Sequence, residues 1–169
     1  MNSELKIIPN FLNSRDFLNI KKTLLSTNFA WYYHSLVLLP DGKDIQYSDV
    51  DFQFVHSFYL NYSSNSPYME LLNPVLQKLN PIALVKIKAN LITRTNEIVE
   101  HGMHTDIPNV KCTTSILYIN TCDGYTKFET GEKVFSEENK LVTFPSNLKH
   151  TGTTCTDQKC RVVINLNYF

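Results

Sequence analysis

Two histidines, an aspartate and an arginine, in the order His104-Thr105-Asp106, His150 and Arg161, are the residues of this chain best suited to chemistry. Imidazoles and a carboxylate are ligands for a divalent transition metal. A set of two His and one carboxylate occupies one face of the metal and leaves the opposite positions open, which suits non-haem Fe(II) acting on a co-substrate and dioxygen side by side. The spacing permits it: residues two apart on a strand share a face, so His104 and Asp106 reach one metal while Thr105 points away. His150 must then arrive from another strand. An isolated His-x-Asp recurs by chance; combined with a distal His and an Arg eleven residues further on, it is far more specific.

The elements that must carry these side chains are strands. From residue 83 onward, strand-like runs follow one another with short turns, as in a double-sheet jelly roll. In Arg161-Val162-Val163-Ile164-Asn165-Leu166-Asn167-Tyr168 the even positions are oily and the odd positions largely polar. The run from Lys86 to Arg94 repeats this, with Lys86, Lys88, Asn90, Ile92 and Arg94 on one face and Ile87, Ala89, Leu91 and Thr93 on the other. The oily face belongs under covering helices, and a polar inner face is tolerable only if a ligand fills it.

The first half supplies the cover. Residues 7–12 read as a short strand, and Asn13 or Ser14 caps a helix with Phe17, Ile20, Leu24 and Leu25 at helical spacing. Trp31-Tyr32-Tyr33 reads as a core strand, Asp41-Gly42 as a turn, residues 43–51 as a polar surface loop and residues 52–60 as an aromatic strand. A second helix is predicted over Pro67–Leu79 with Leu71, Leu72, Val75 and Leu79 as its stripe, kinked or split at Pro74. The expected fold is mainly β with flanking helices. Residues 1–169 are expected to form one domain, with support elements in 1–82 and the jelly-roll core in 83–169.

Composition narrows the class. Lys+Arg and Asp+Glu balance at 16 each, which removes the bulk electrostatic case for a nucleic-acid partner. No apolar run approaches the roughly 20 residues of a membrane span, and Met1-Asn2-Ser3-Glu4 does not begin a signal peptide, so an intracellular, cytoplasmic protein is expected. Cys112, Cys122, Cys155 and Cys160 form no CxxC pair and are expected to be reduced thiols.

Residues 86–169 resemble the catalytic core of 2-oxoglutarate/Fe(II)-dependent dioxygenases, in particular the prolyl 4-hydroxylase-like branch with its small viral and phage versions. The resemblance rests on His104-Thr105-Asp106, Ile116-Leu117-Tyr118-Ile119-Asn120, Gly124-Tyr125-Thr126-Lys127-Phe128, Leu141-Val142-Thr143-Phe144 leading to His150, and Arg161-Val162-Val163-Ile164-Asn165. It implies a double-stranded β-helix with Fe(II) on His104, Asp106 and His150. It also implies 2-oxoglutarate as co-substrate with dioxygen, ascorbate as a possible reductant, and a C–H bond hydroxylated as succinate and CO2 are released. Arg161 would pair with the far carboxylate of 2-oxoglutarate, Lys159 being the fallback. Tyr118 would donate its hydroxyl to the same carboxylate, and Asn165 and Asn90 would line the pocket. The implied substrate is a peptidyl proline, another amino-acid side chain or a small amino-acid-like molecule. For a viral protein the implied compartment is the host cytoplasm.

Two other classes share these residues. One is a non-catalytic jelly-roll binding module with a vestigial or structural metal; the other is a cupin-like metalloenzyme, which would need His101 or Glu100 as a further ligand. His101 reads as a non-ligand, and His34 and His56 as structural or substrate-adjacent residues.

Overall fold

The computed structural model describes residues 5–37, 51–107 and 110–169. The turn expected at Asp41-Gly42 and the loop expected before Asp51 lie outside the described residues.

Eight strands form the larger sheet. In chain order they are β1 (Lys6–Ile8), β2 (Tyr32–His34), β3 (Gln53–Leu60), β4 (Ser63–Ser64), β5 (Leu84–Thr93), β6 (Thr113–Tyr118), β9 (Leu141–Pro145) and β11 (Cys160–Tyr168). Their spatial order is β1-β9-β6-β11-β5-β3-β2, with β4 paired to β3. The smaller sheet runs β10-β7-β8, from β10 (His150–Gly152), β7 (Tyr125–Phe128) and β8 (Lys133–Phe135). All the pairings are antiparallel. Two sheets facing each other in this way make the expected jelly roll.

Alternation along the central strand sorts its two faces as the sequence indicates. Val162, Ile164 and Leu166 of β11 join Ile87 and Ala89 of β5 in a core shared with the helices. Arg161, Val163 and Asn165 point the other way, into the space between the sheets. Register sets Val163 against Asn90 and Asn165 against Lys88, so the inner positions of the two strands are neighbours.

The helical cover is built from α1 (Ser14–Leu24) and α2 (Asn73–Leu79). Asn13 caps α1 by accepting from the backbone N–H of Asp16 at 3.0 Å, and Phe17, Ile20 and Leu24 are its buried stripe. Pro74 does split the second helix: a 3-10 turn at Met69–Leu72 precedes α2, and the proline sits in the first turn, where a missing N–H costs nothing. Among the described residues no helix is long and apolar enough to cross a membrane.

The expectation for Tyr32 and Tyr33 is corrected. They lie on β2 at the edge of the sheet, 62% and 64% exposed, while Phe29 and Trp31 just before them turn into the helix-side core. An edge strand lies beyond the reach of the helical cover, so an aromatic run there need not be buried. His56, which sequence alone left between core and cleft, is a core residue bonded to Ala30 O and Ser66 Oγ at 2.7 Å each.

Asn139 ties the cover to the barrel. Its side chain accepts from Leu12 N–H and donates to Leu12 C=O, both at 2.8 Å and buried, while its own N–H donates to Tyr118 C=O. Its φ of 60° lies in the left-handed region, which asparagine tolerates better than most side chains. Asn139→Ala would strand two buried backbone groups, at about 1–3 kcal/mol apiece. We expect a loss of about 2–6 kcal/mol in urea unfolding, against a neutral effect for alanine at the exposed Glu137. A loss under about 0.5 kcal/mol would show that this tie contributes little.

Candidate active site

His104 and His150 face each other as an isolated antiparallel bridge, each N–H donating to the other's carbonyl at 2.9 Å. This backbone pair sets the two rings side by side, with centroids 4.7 Å apart. His104 Nδ1 lies 3.0 Å from Gly102 O and His150 Nδ1 3.2 Å from Leu148 O. Donation from Nδ1 fixes the tautomer and leaves each Nε2 with a lone pair. Both lone pairs aim at Asp106: its Oδ1 is 3.7 Å from His104 Nε2 and 3.8 Å from His150 Nε2. Those separations are too long for hydrogen bonds, but a cation bonded to each atom at roughly 2.0–2.2 Å spans them. The three donor atoms lie within 4.8 Å of one another, as a facial ligand set requires.

The surroundings favour the metal-binding forms. Burial is the largest influence on Asp106 and opposes its charge, but the His104 and His150 imidazoles and the Lys86 ammonium outweigh it and hold the carboxyl well below the usual range. Burial lowers His150 and keeps it neutral, against the pull of Asp106. Asn167 donates from Nδ2 to Asp106 Oδ2 at 3.2 Å and to Thr114 Oγ1 at 2.9 Å, orienting the carboxylate. Phe144 and Phe128 flank the His150 ring, with centroids 4.8 and 6.2 Å away.

Arg161 closes the other end of the same cavity. It is 2% exposed and forms no ion pair with a carboxylate among the described residues. Nε donates to Ser136 Oγ at 2.7 Å, and Nη2 to Thr126 Oγ1 at 3.1 Å. Burial lowers its basicity, yet a guanidinium stays charged in a protein, so an anionic partner is missing. The cavity between Arg161 and the His-Asp-His set measures about 70 Å³, several times the ~10–15 Å³ that one water needs. Asn90 and Asn165 line it, and the side-chain oxygen of each is buried without a partner. Rotation of either amide about its last side-chain bond turns its N–H group to an anion. The donor set suits Fe(II), and the buried cation with its flanking amides suits a small dicarboxylate.

Tyr118 stands where sequence did not expect it. Its hydroxyl, raised in pKa chiefly by burial, donates to Thr126 Oγ1 at 2.8 Å, and Tyr118 is not among the residues lining the cavity. Thr126 accepts from both Tyr118 and Arg161, which leaves its own hydroxyl proton for the cavity it lines. Thr126, Ser136 and Asn167 are the residues sequence reasoning passed over. The alternation of β11 already put Asn167 on the polar face with Arg161; nothing comparable marked Ser136.

The alternative ligands stay outside the set. Glu100 binds Tyr125 Oη at 2.6 Å and Lys127 Nζ at 2.7 Å, and His101 Nδ1 lies 3.5 Å from Asp51 Oδ1. Lys159, the fallback cation, is exposed, as is Arg94 just past the end of β5. The four cysteines are free thiols. Cys122 and Cys155 lie together beside Asp157, and burial foremost pushes the Cys155 thiol up to about 12.

No family model and no curated sequence matches the chain. Solved structures do. A prolyl hydroxylase from Trichoplax adhaerens, solved with a hypoxia inducible factor oxygen degradation domain peptide fragment, is similar over 99% of this chain and 84% of its own, at 16% identity and a TM-score of 0.73. The viral collagen prolyl hydroxylase of Paramecium Bursaria Chlorella virus-1, in its 2OG complex, matches over 98% and 95%, at 10% identity and a TM-score of 0.61. The non-haem alpha ketoglutarate dependent epimerase SnoN, from nogalamycin biosynthesis, matches over 99% and 78%, at 12% identity and a TM-score of 0.67. The chain thus has the jelly-roll fold of the 2OG-Fe(II) oxygenases, prolyl hydroxylases among them.

Proposed function

We propose that this chain is an Fe(II)- and 2-oxoglutarate-dependent oxygenase that hydroxylates a C–H bond of a peptidyl proline or another amino-acid-like substrate. The observation that carries this reading is one cavity with two ends: a His-Asp-His donor set at one, and at the other a buried Arg161 that has no carboxylate partner among the described residues. Residues 1–169 are read as one catalytic domain, which the pairing of β1 with β9 supports.

His104, Asp106 and His150 would hold the iron, and the iron with 2-oxoglutarate would supply the oxidising power by coupling decarboxylation to oxygen activation. The chain's own residues place and shield the reactants. Arg161 takes the far carboxylate in a bidentate grip, and Thr126 adds a hydroxyl donor. Tyr118 and Ser136 act behind them, each satisfying one partner so that the remaining donors face inward. Asn90 and Asn165 offer amide donors along the wall. Asn167 and the carbonyls of Gly102 and Leu148 keep the ligand atoms aimed. Phe128 and Phe144 exclude water behind His150. The similar folds include both hydroxylases and an epimerase, so the substrate assignment rests on the neutral overall charge and on the peptide-bound neighbour.

Succinate release from 2-oxoglutarate under Fe(II) and air, with proline peptides as prime substrates, tests this reading. Asp106→Ala, which removes the only anionic ligand, should abolish release while the unfolding midpoint stays close to that of the parent chain; full activity in that variant would refute the triad.

Gly152 offers a second test. A Cβ there would sit 3.3 Å from Arg161 Nη1, the guanidinium nitrogen facing the expected carboxylate. Gly152→Ala should raise the 2-oxoglutarate requirement on the order of tenfold, and Arg161→Ala a hundredfold or more, with metal affinity kept in both. Unchanged 2-oxoglutarate dependence in Arg161→Ala would move the anion site elsewhere.

A further inference from the structure

Charge around the cavity does not balance once the proposed co-factors are in place. Fe(II) and Arg161 bring three positive charges, and Asp106 with the two carboxylates of 2-oxoglutarate brings three negative ones. Lys86 and Lys88 are left over. Both project from β5 and, together with His104, Thr105 and Asp106, line a second cavity of about 340 Å³. Lys88 lines the inner cavity as well, so it stands where the two spaces meet. Both lysines are half-buried, and among the described residues neither ammonium has a hydrogen bond or an ion pair.

That is an uncomfortable position for two neighbouring ammonium groups. Burial foremost, then the charge of Lys86, lowers the pKa of Lys88, and Asp106 only partly offsets them. Asp106 feels the charge of Lys86 but bonds to neither lysine: its oxygens face the two imidazoles and Asn167. Among the described residues, Asp51 faces His101 and Glu100 faces Lys127, and neither lines the cavity with the lysines. A desolvated cation without a partner at the mouth of a ligand cavity is stabilised most by an anion that arrives with the ligand.

We propose that Lys86 and Lys88 form an anion subsite that holds a carboxylate of the amino-acid-like substrate beside the bond to be oxidised. This rests on the oxygenase reading, because the metal and Arg161 must already account for both carboxylates of 2-oxoglutarate. The substrate is then an acidic residue or a free carboxyl terminus next to the reacting carbon, and a basic substrate is disfavoured.

The test uses the full chain loaded with Zn(II) and saturated with 2-oxoglutarate, and saturation is itself titrated first. Failure there would undo the oxygenase reading, while the subsite can still be probed with sulfate as a simple anion. Sulfate should shift the Lys86 and Lys88 Cε–Hε NMR signals saturably, and Lys88→Gln should weaken binding about tenfold or more without moving the 2-oxoglutarate titration. No saturable shift, sulfate binding unchanged in Lys88→Gln, or a weakened 2-oxoglutarate titration would each overturn the subsite.

A second arm measures succinate release with matched proline peptides: Asp against Asn beside the proline, and C-terminal acid against C-terminal amide. The Asp pair reads a side-chain carboxylate and the terminal pair a main-chain one. Preference for the charged member of either pair, lost in Lys88→Gln, supports the proposal; preference for the neutral member in both contradicts it. If no peptide is turned over, the sulfate arm decides.

Discussion

A guanidinium buried at the inner end of a cavity, with no carboxylate against it among the described residues, is the feature on which the rest of this structure turns. An isolated charge taken out of water is costly, and proteins keep one only when a partner is supplied. Arg161 has hydroxyl partners in Ser136 and Thr126, which fix its plane without neutralising it. The neutralising charge must therefore come from a ligand. At the opposite end of the cavity, two imidazole lone pairs and a carboxylate converge at distances that suit a shared cation. A small acid that chelates a metal through one end and meets a cation at the other satisfies both ends at once.

The fold exists to hold those ends apart and aligned. The backbone bridge between His104 and His150 links the small sheet to the segment that carries the His-x-Asp pair, so ligand spacing is set by main-chain hydrogen bonds rather than by side-chain packing alone. Arg161 is the second residue of β11, a strand paired on both sides, and the register fixes Asn165 beside Lys88 and Val163 beside Asn90. Gly124 lets the start of β7 approach this arginine: a Cβ there would lie 2.7 Å from Arg161 Cδ and 2.6 Å from Thr154 O. The helices take no part in the site. They cover the oily face of the sheet so that its polar face can be turned inward.

Much of this was legible in the sequence because strand periodicity is so regular. The alternation of residues 161–168 and 86–94 assigned both faces of the central pair, and with them the inward direction of Arg161, Asn165 and Asn90. The convergence of His104, Asp106 and His150 was anticipated from strand spacing together with the family resemblance, since an isolated His-x-Asp says little and only the downstream motifs single out His150. What was not legible depends on position across the fold. Tyr32 and Tyr33 read as core because their composition is that of a buried strand, but edge location is a property of the sheet order. Tyr118 has the right alternation to face inward, yet Thr126 stands between it and the cavity, a consequence of how the two sheets pack. Cys122 and Cys155 are far apart in sequence and share no motif; only the folding of two loops onto each other brings them together.

The central claim is that metal and dicarboxylate share one cavity, joined at the metal and anchored at Arg161. An anaerobic crystal structure of the chain with Mn(II) and 2-oxoglutarate tests it most directly. The account predicts the ion on His104, Asp106 and His150, chelated by the keto-acid end, with the far carboxylate paired to Arg161 and within reach of Thr126. An ion held by another set of residues, or 2-oxoglutarate bound away from Arg161, would contradict it.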